Sequence, residues 1–356
     1  MSVGRFIHET LPSRVLFGVG TLGGLPEEAE RLGIKRALVL STPGQAEQGL
    51  AVCDLLGVNG AGLFSGARMH TPTDVSEQAC ARVRELGADG VIAIGGGSTI
   101  GLAKAIALRT DLPQVVIPTT YAGSEVTPIL GETENGLKVT RRSLKVLPET
   151  VIYDVELTLG LPVALSVTSG LNAIAHAAEA LYAPNVSPVV AMIAEEGVRA
   201  LVGALPRLAN DPANVVARSD ALEGAWLCGI CLGLVGMALH HKLCHVLGGT
   251  FDLPHAETHS VVLPHVLAYN LEVVPDARNR LARAVGHADP ALALHQLAAR
   301  LGAPTSLASL GMPESGVADA ARLAVATPYP NPRPFVEDDI ARILSHAWAG
   351  SLPSVL

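Results

Sequence analysis

Twelve histidines are spread through the 356-residue chain, and six of them, His240, His241, His245, His255, His259 and His265, fall within 26 residues. Imidazole serves as ligand, acid or hydrogen-bond donor near neutral pH, so clustering on this scale asks for a chemical reason. His241 and His245 stand one helical turn apart, and Asn172 and His176 repeat that spacing in SGLNAIAHAAEAL. Each pair therefore shares one helix face. Two helices each offering such a pair is how a bundle builds a metal or proton-transfer site, and His255 returns to the same region after Gly248-Gly249. One such histidine alone reads as a hydrogen-bonded core residue. His176, His241, His245 and His255 together read as a catalytic cluster.

A second chemistry is written in glycine. Gly95-Gly96-Gly97-Ser98 follows the apolar run VIAI and opens the helical stretch STIGLAKAIAL. Unobstructed amides at a helix N-terminus, with its partial positive charge, fit the pyrophosphate of a dinucleotide. The residues after the next run, Thr119, Thr120, Tyr121 and Ser124, fall beside the same cofactor, because strand ends line the ligand crevice of an open parallel sheet. Gly18, Gly20 and Gly23 also spell G-x-G-x-x-G, but the acid expected about 20 residues on is missing, so they read as a flexible turn. Ser41 and Thr42 stand where a carboxylate usually holds the adenosine ribose, which removes the repulsion that excludes a 2′-phosphate. NADH and NADPH are both admissible.

These groups need a scaffold with two textures. The runs RVLFG (14–18), ALVLS (37–41), GVIAIG (90–95), QVVIP (114–118) and TVIYD (150–154) are apolar without alternation, as strands covered on both faces are. Helical segments lie between them, one opened by a capping box of Asp74 and Glu77 and ending near Gly87. The expectation is a doubly wound, Rossmann-like α/β domain over residues 1–159, followed by an all-helical domain over 160–356. The apolar stretch Ala225–Leu239 is too short to span a bilayer, for which about 20 residues are needed. It reads as one buried core helix in which Gly229, Gly233 and Gly236 let backbones approach and Cys228 and Cys231 fill space. With 33 acidic against 25 basic residues the net charge is −8, which argues against a nucleic-acid partner. Five cysteines and no leader-like segment at Met1 read as cytosolic thiols.

Taken together, FGVG, GGGS, PTTYAGSE, the histidine segment and the closing NPRPF resemble the iron-containing alcohol dehydrogenases along essentially the whole chain. That family binds a divalent metal through one aspartate and three histidines. The resemblance places those ligands at Asn172, His176, His241 and His255, so the aspartate is replaced by a neutral carboxamide and no metal is expected to be required. The usual aspartate of the GGGS helix is replaced as well, by Gly101, while Lys104 remains. Segments 118–129, 168–183 and 240–265 are similar to a subgroup that reduces the carbon–carbon double bond of maleylacetate to 3-oxoadipate, with NADH or NADPH, in bacterial breakdown of aromatic rings. The resemblance implies a cytoplasmic enzyme, often dimeric, that partners neither nucleic acid nor membrane.

Hydride addition to a carbon conjugated with a ketone develops an enolate and then needs a proton, so the site requires an oxyanion partner and an acid. His176, His241, His245, His255 and Tyr121 are the candidates, and spacing alone does not say which gives the proton. For a dicarboxylate substrate, Asn172, Lys242 and Tyr329 are the candidate contacts. The basic run Lys138, Arg141, Arg142 and Lys145 reads either as a further anion contact or as a solvated hairpin, and the resemblance puts Lys138 near the cofactor. Two other readings stay open: a metal-dependent alcohol or glycerol dehydrogenase, against which Asn172 argues, and a lyase resembling 3-dehydroquinate synthase, which would need a carboxylate-rich metal site.

Overall fold

The computed structural model describes residues 6–134 and 137–354 and divides into two compact units, Leu11–Leu161 and Pro162–Leu356 together with the segment up to Thr10. The division thus falls at Leu161/Pro162, and the described start of the chain groups with the helical unit. There the Ser187 hydroxyl hydrogen-bonds His8 Nδ1 at 3.1 Å.

The first unit contains β1 (Arg14–Gly18), α1 (Leu25–Arg31), β2 (Ala37–Leu40), α2 (Ala46–Leu56), β3 (Gly60–Phe64), α3 (Thr73–Leu86), β4 (Gly90–Gly95), α4 (Gly97–Thr110), β5 (Gln114–Pro118), β6 (Ile129–Glu134), β7 (Leu137–Arg142) and β8 (Thr150–Asp154). Six strands form one parallel sheet in the order β1-β8-β5-β4-β2-β3. All five expected strand runs lie in it. β3 was not expected, because Gly60 and Gly62 in GAGLF dilute the strand pattern. They are there for space: a Cβ on Gly60 would lie 2.8 Å from the Cys53 carbonyl oxygen. Alternate residues of each strand face opposite sides. Val39, Ile92, Ile94 and Ile117 pack with α1 and α2, whereas Leu38, Leu40, Ala93 and Val116 pack with α3 and α4. Burial on both faces is why the runs lack alternation.

The capping box before α3 is corrected by the structure. Pro72 precedes the helix, no side chain caps it, and Asp74 sits inside the first turn, while Gly87 does end it in a left-handed conformation. The Gly18–Gly23 turn is not a nucleotide loop. Its Gly20 and Leu22 amides donate to the Asp154 carboxylate at 3.1 and 2.9 Å, leaving them no anion to bind.

The second unit is helical among its described residues: α5 (Val163–Ala180), α6 (Pro188–Asn210), α7 (Val215–Leu234), α8 (Leu239–Phe251), α9 (His255–Asn270), α10 (Pro275–Val285), α11 (Pro290–Arg300), α12 (Gly316–Val325) and α13 (Glu337–Ala349). The apolar stretch 225–239 is not one helix. α7 ends at Leu234, the chain breaks over residues 235–238, and α8 leaves at 95°. Gly236 lies in that break, and nothing lies within 4 Å of its would-be Cβ. α6 and α7 approach closely at Gly197 and Gly224, whose added Cβ atoms would meet Cys228 Sγ at 2.9 Å and Leu201 Cγ at 2.8 Å. Burial raises the Cys228 thiol pKa and pushes that of Cys231 up to about 12, as befits inert fillers. Among the described residues no single helix is long and apolar enough to cross a membrane.

Candidate active site

The α7–α8 break has a direct consequence for the histidines. A helix start leaves backbone amides without intrahelical partners, and here a buried carboxylate takes them. Glu179, near the end of α5, accepts from the amides of Ala238 at 3.0 Å, His240 at 2.8 Å and His241 at 3.4 Å. It also accepts from His241 Nδ1 at 2.6 Å. That bond fixes the tautomer with its proton on Nδ1 and leaves Nε2, on the opposite side of the ring, without a protein hydrogen-bond partner. Glu179 was missed in the sequence. The available clue was that it is the sole carboxylate of α5 and lies one turn beyond His176.

Around His241 the rings close into a cluster. His176 lies 5.2 Å away between centroids, His259 at 5.0 Å, His240 at 5.3 Å and His245 at 6.4 Å. His255, the first residue of α9, reaches the group through His259 at 4.4 Å. The expected convergence of α5, α8 and the start of α9 is therefore present. Its depth is uneven: His176 and His241 are buried, His255 is half-buried and His245 is exposed. Burial, with His241, His255 and His240 nearby, holds His176 well below the usual imidazole range. Asn172, one turn before His176 on α5, is buried, and its Oδ1 has no hydrogen-bond partner.

His240 and His259 form a second layer that spacing did not single out. His240 Nε2 and His259 Nδ1 share a hydrogen bond of 2.9 Å, both rings are fully buried, and burial lowers both pKa values. With Cys244 they are the one group among the described residues whose three potential ligand atoms lie within 4.8 Å of one another. Lys242 sits with its ammonium 5.6 Å from the centre of the Tyr329 ring, and burial together with Glu179 raises the pKa of Tyr329.

The nucleotide side of the reading concerns the first unit alone. Gly96 precedes α4 with no side-chain cap, and Gly97 is exposed, so the helix start is open to an anion. Gly95 has φ of +149°, and a Cβ there would lie 2.6 Å from Thr99 Oγ1. A Cβ on Gly96 would lie 2.9 Å from Thr120, while Ser98 is half-buried at the same corner. Thr119 is held over the strand end by a hydrogen bond from its backbone N–H to the Gly95 carbonyl at 3.0 Å. Three expected cofactor contacts are corrected or lie outside the description. Ser41 is fully buried and its hydroxyl donates to the Thr42 carbonyl, so it faces the fold and not a ribose. The Ser124 hydroxyl is buried, and the carbonyl of Ser124 instead accepts from Lys104. The side chain of Lys138 lies outside the described residues. Tyr121 is fully buried, contrary to a role on an open reacting surface.

Lys104 acts as a pin. Its buried ammonium also donates to both Thr127 oxygens and to the Ile129 carbonyl, which fixes the loop after β5. Gly101, where the family has aspartate, faces Thr71: a Cβ would lie 2.3 Å from Thr71 Oγ1. Of the basic run, Arg141 and Arg142 lie on β7, where Arg141 pairs with Glu132 and Glu134, while Lys145 lies beyond the strand and pairs with Asp111.

A parallel dinucleotide-type sheet joined in one chain to a histidine-bearing helical unit is the architecture of a two-domain dehydrogenase, and comparison with known proteins agrees. Residues 12–155 match the iron-containing alcohol dehydrogenase family and residues 166–348 its C-terminal region; the chain belongs to that family and is an oxidoreductase. A maleylacetate reductase of Sphingobium indicum is 56% identical over 98% of this chain and 99% of its own length. The crystal structure of maleylacetate reductase from Agrobacterium tumefaciens is 55% identical over 99% of this chain and 100% of that one, with a TM-score of 0.96. An iron-containing alcohol dehydrogenase from Corynebacterium glutamicum is 43% identical over 98% of both chains, with a TM-score of 0.93.

Proposed function

We propose that the protein reduces the carbon–carbon double bond of maleylacetate to 3-oxoadipate with NADH or NADPH, without a metal ion, in bacterial breakdown of aromatic compounds. The observation that carries the reading is the Glu179-anchored ring of His241. Its Nε2 has no protein hydrogen-bond partner, and with Nδ1–H held by the carboxylate the ring, when it carries a second proton on Nε2, donates to a substrate carbonyl oxygen as charge develops there. Asn172 lies one turn before His176 on α5. Lys242 is the cation available to a substrate carboxylate, with Tyr329 beneath it.

The family's metal fits this donor set poorly. Asn172 supplies a neutral oxygen in place of a carboxylate, which a hard divalent ion favours. Among the described residues, His176, His241 and His255 do not bring three ligand atoms within 4.8 Å of one another. The group that does, His240, Cys244 and His259, is already closed by a 2.9 Å nitrogen–nitrogen hydrogen bond. Histidine chemistry takes the place of Lewis acidity in this reading. Hydride adds to the alkene carbon remote from the ketone, the electron pair moves to the ketone oxygen as an enolate, and a proton at the adjacent carbon restores the ketone. His245, exposed and one turn from His241, is placed to relay that proton from solvent.

A cytoplasmic homodimer is part of the same proposal. The test is oxidation of NADH on addition of maleylacetate, with and without prior dialysis against a strong chelator. Turnover that survives the chelator supports the reading, and turnover lost and restored by iron or zinc overturns its metal-free form.

A further inference from the structure

We infer that Gln45 is the residue that reads the adenosine ribose and admits both dinucleotides, an inference that rests on the cofactor reading above. The sheet order fixes where to look. From β4 the chain continues to β5 on one side, while β2 and β3 lie on the other, and α2 and α4 cover opposite faces. The crevice at the C-terminal ends of β2 and β4 is therefore the topological switch point, where such sheets bind ligands. The structure puts the Gln45 side chain across it. Thr42, at the end of β2, donates to Gln45 Oε1 at 3.2 Å, and Gln45 Nε2 donates to Thr119, at the end of β5, at 3.0 Å. Between those ends it passes over the glycine loop, since a Cβ on Gly95 would lie 2.9 Å from Gln45 Oε1.

The chemistry of this bridge explains what it selects. A strand-end carboxylate can only accept hydrogen bonds and repels a phosphate. The bridge from Thr42 through Gln45 to Thr119, steadied by a 3.0 Å bond from Gln45 Nε2 to Gln48 Oε1, is neutral along its whole length. Hydroxyls and carboxamides both donate and accept, so the same groups can turn an acceptor toward a 2′-hydroxyl or a donor toward a 2′-phosphate. Ser41, the neighbour at this corner, is turned inward and contributes nothing to the choice. Gln45 is invisible to a strand-end motif because it lies past the strand, at the start of α2.

The test is fluorescence titration of NADH and NADPH against wild type, Gln45→Glu and Gln45→Met, with melting curves to confirm folding. Gln45→Glu keeps the shape and adds a charge, and it is expected to raise the ratio of the NADPH to the NADH dissociation constant at least tenfold. Gln45→Met is expected to weaken both, with the ratio within threefold of wild type. If Gln45→Glu does not fold, Thr42→Asp places the charge at the other end of the bridge and must raise the ratio likewise. A rise below tenfold in the folded acidic variant overturns the assignment while leaving the cofactor reading intact. Wild-type protein that binds neither dinucleotide overturns both.

Discussion

The Glu179 carboxylate and the His241 imidazole lie 2.6 Å apart, and the same carboxylate holds the first amides of α8. One buried acid thus sets both where the helix begins and which ring nitrogen faces the site. Glu179→Gln keeps the shape but loses the charge and the certainty of the tautomer. Support of this kind is typically worth about 10- to 100-fold in activity. We expect kcat for maleylacetate reduction to fall by at least about that factor and the thermal midpoint to fall as well, because the carboxamide nitrogen cannot accept the N–H bonds that one carboxylate oxygen takes. Steady-state kinetics and a melt on the same preparation check it. Unchanged kcat would detach His241 from the chemistry.

His241 and His245 separate by burial. His245→Asn changes an exposed ring, so the melting midpoint should stay within about a degree or two, as surface substitutions shift stability by roughly 0.5 kcal/mol or less. If it relays the proton, kcat should fall by about 100-fold or more. His241→Asn loses a buried bond to Glu179 and should lower both kcat and the midpoint. Calorimetry with turnover measurements distinguishes the two, and a His245→Asn variant of normal kcat would move the proton donor elsewhere.

The glycine loop was legible because strand, loop and helix are contiguous, so three glycines and a serine carry their context with them. The histidine cluster was legible for a related reason: i,i+4 spacing is a helix face written in sequence. Glu179 and Gln45 were not. Glu179 works on amides 59 and 61 residues away and Gln45 on a threonine 74 residues away, and no local pattern encodes which turns of chain meet. The break between α7 and α8 was hidden by uniform apolarity, since burial of both flanks leaves no polar residue to mark the bend. Ser41 misled in the opposite way. Its position at a strand end was right, but strand alternation turned its side chain into the fold.

A second set of histidines carries a pH dependence. His265 on α9 is buried beside His295 on α11, with His346 on α13 nearby, and burial followed by those two neighbours pulls its pKa down to about 4 from an ordinary 6.5. Between these values the unfolded chain binds a proton that the folded chain does not. Stability is therefore fully present above about pH 6.5 and is lost as pH falls through about 4, to a total of about 3 kcal/mol. His265→Gln should remove that share of the slope. Denaturant unfolding of both proteins at several pH values between 7 and 4 measures it, and parallel curves would refute it.

The last expectation concerns Asn172, whose Oδ1 is buried without a partner one helical turn before His176. Asn172→Asp is nearly isosteric and restores the family's anionic ligand. A buried carboxylate without a cation is costly, so the metal-free variant should melt lower than wild type, by an amount corresponding to about 1–3 kcal/mol. A divalent ion would then have a reason to bind, even if the rings must shift to converge on it. Binding to the folded state alone stabilises by about 2.7 kcal/mol at a hundred times the dissociation constant. Added zinc should therefore raise the midpoint of Asn172→Asp by several degrees, reversibly with chelator, while leaving wild type unmoved. Thermal melts of both proteins with zinc, and again with chelator, decide it. Equal stabilisation of wild type would show that the carboxamide is no obstacle to the ion, and a variant indifferent to zinc would show that ring geometry, not the missing charge, keeps the metal out.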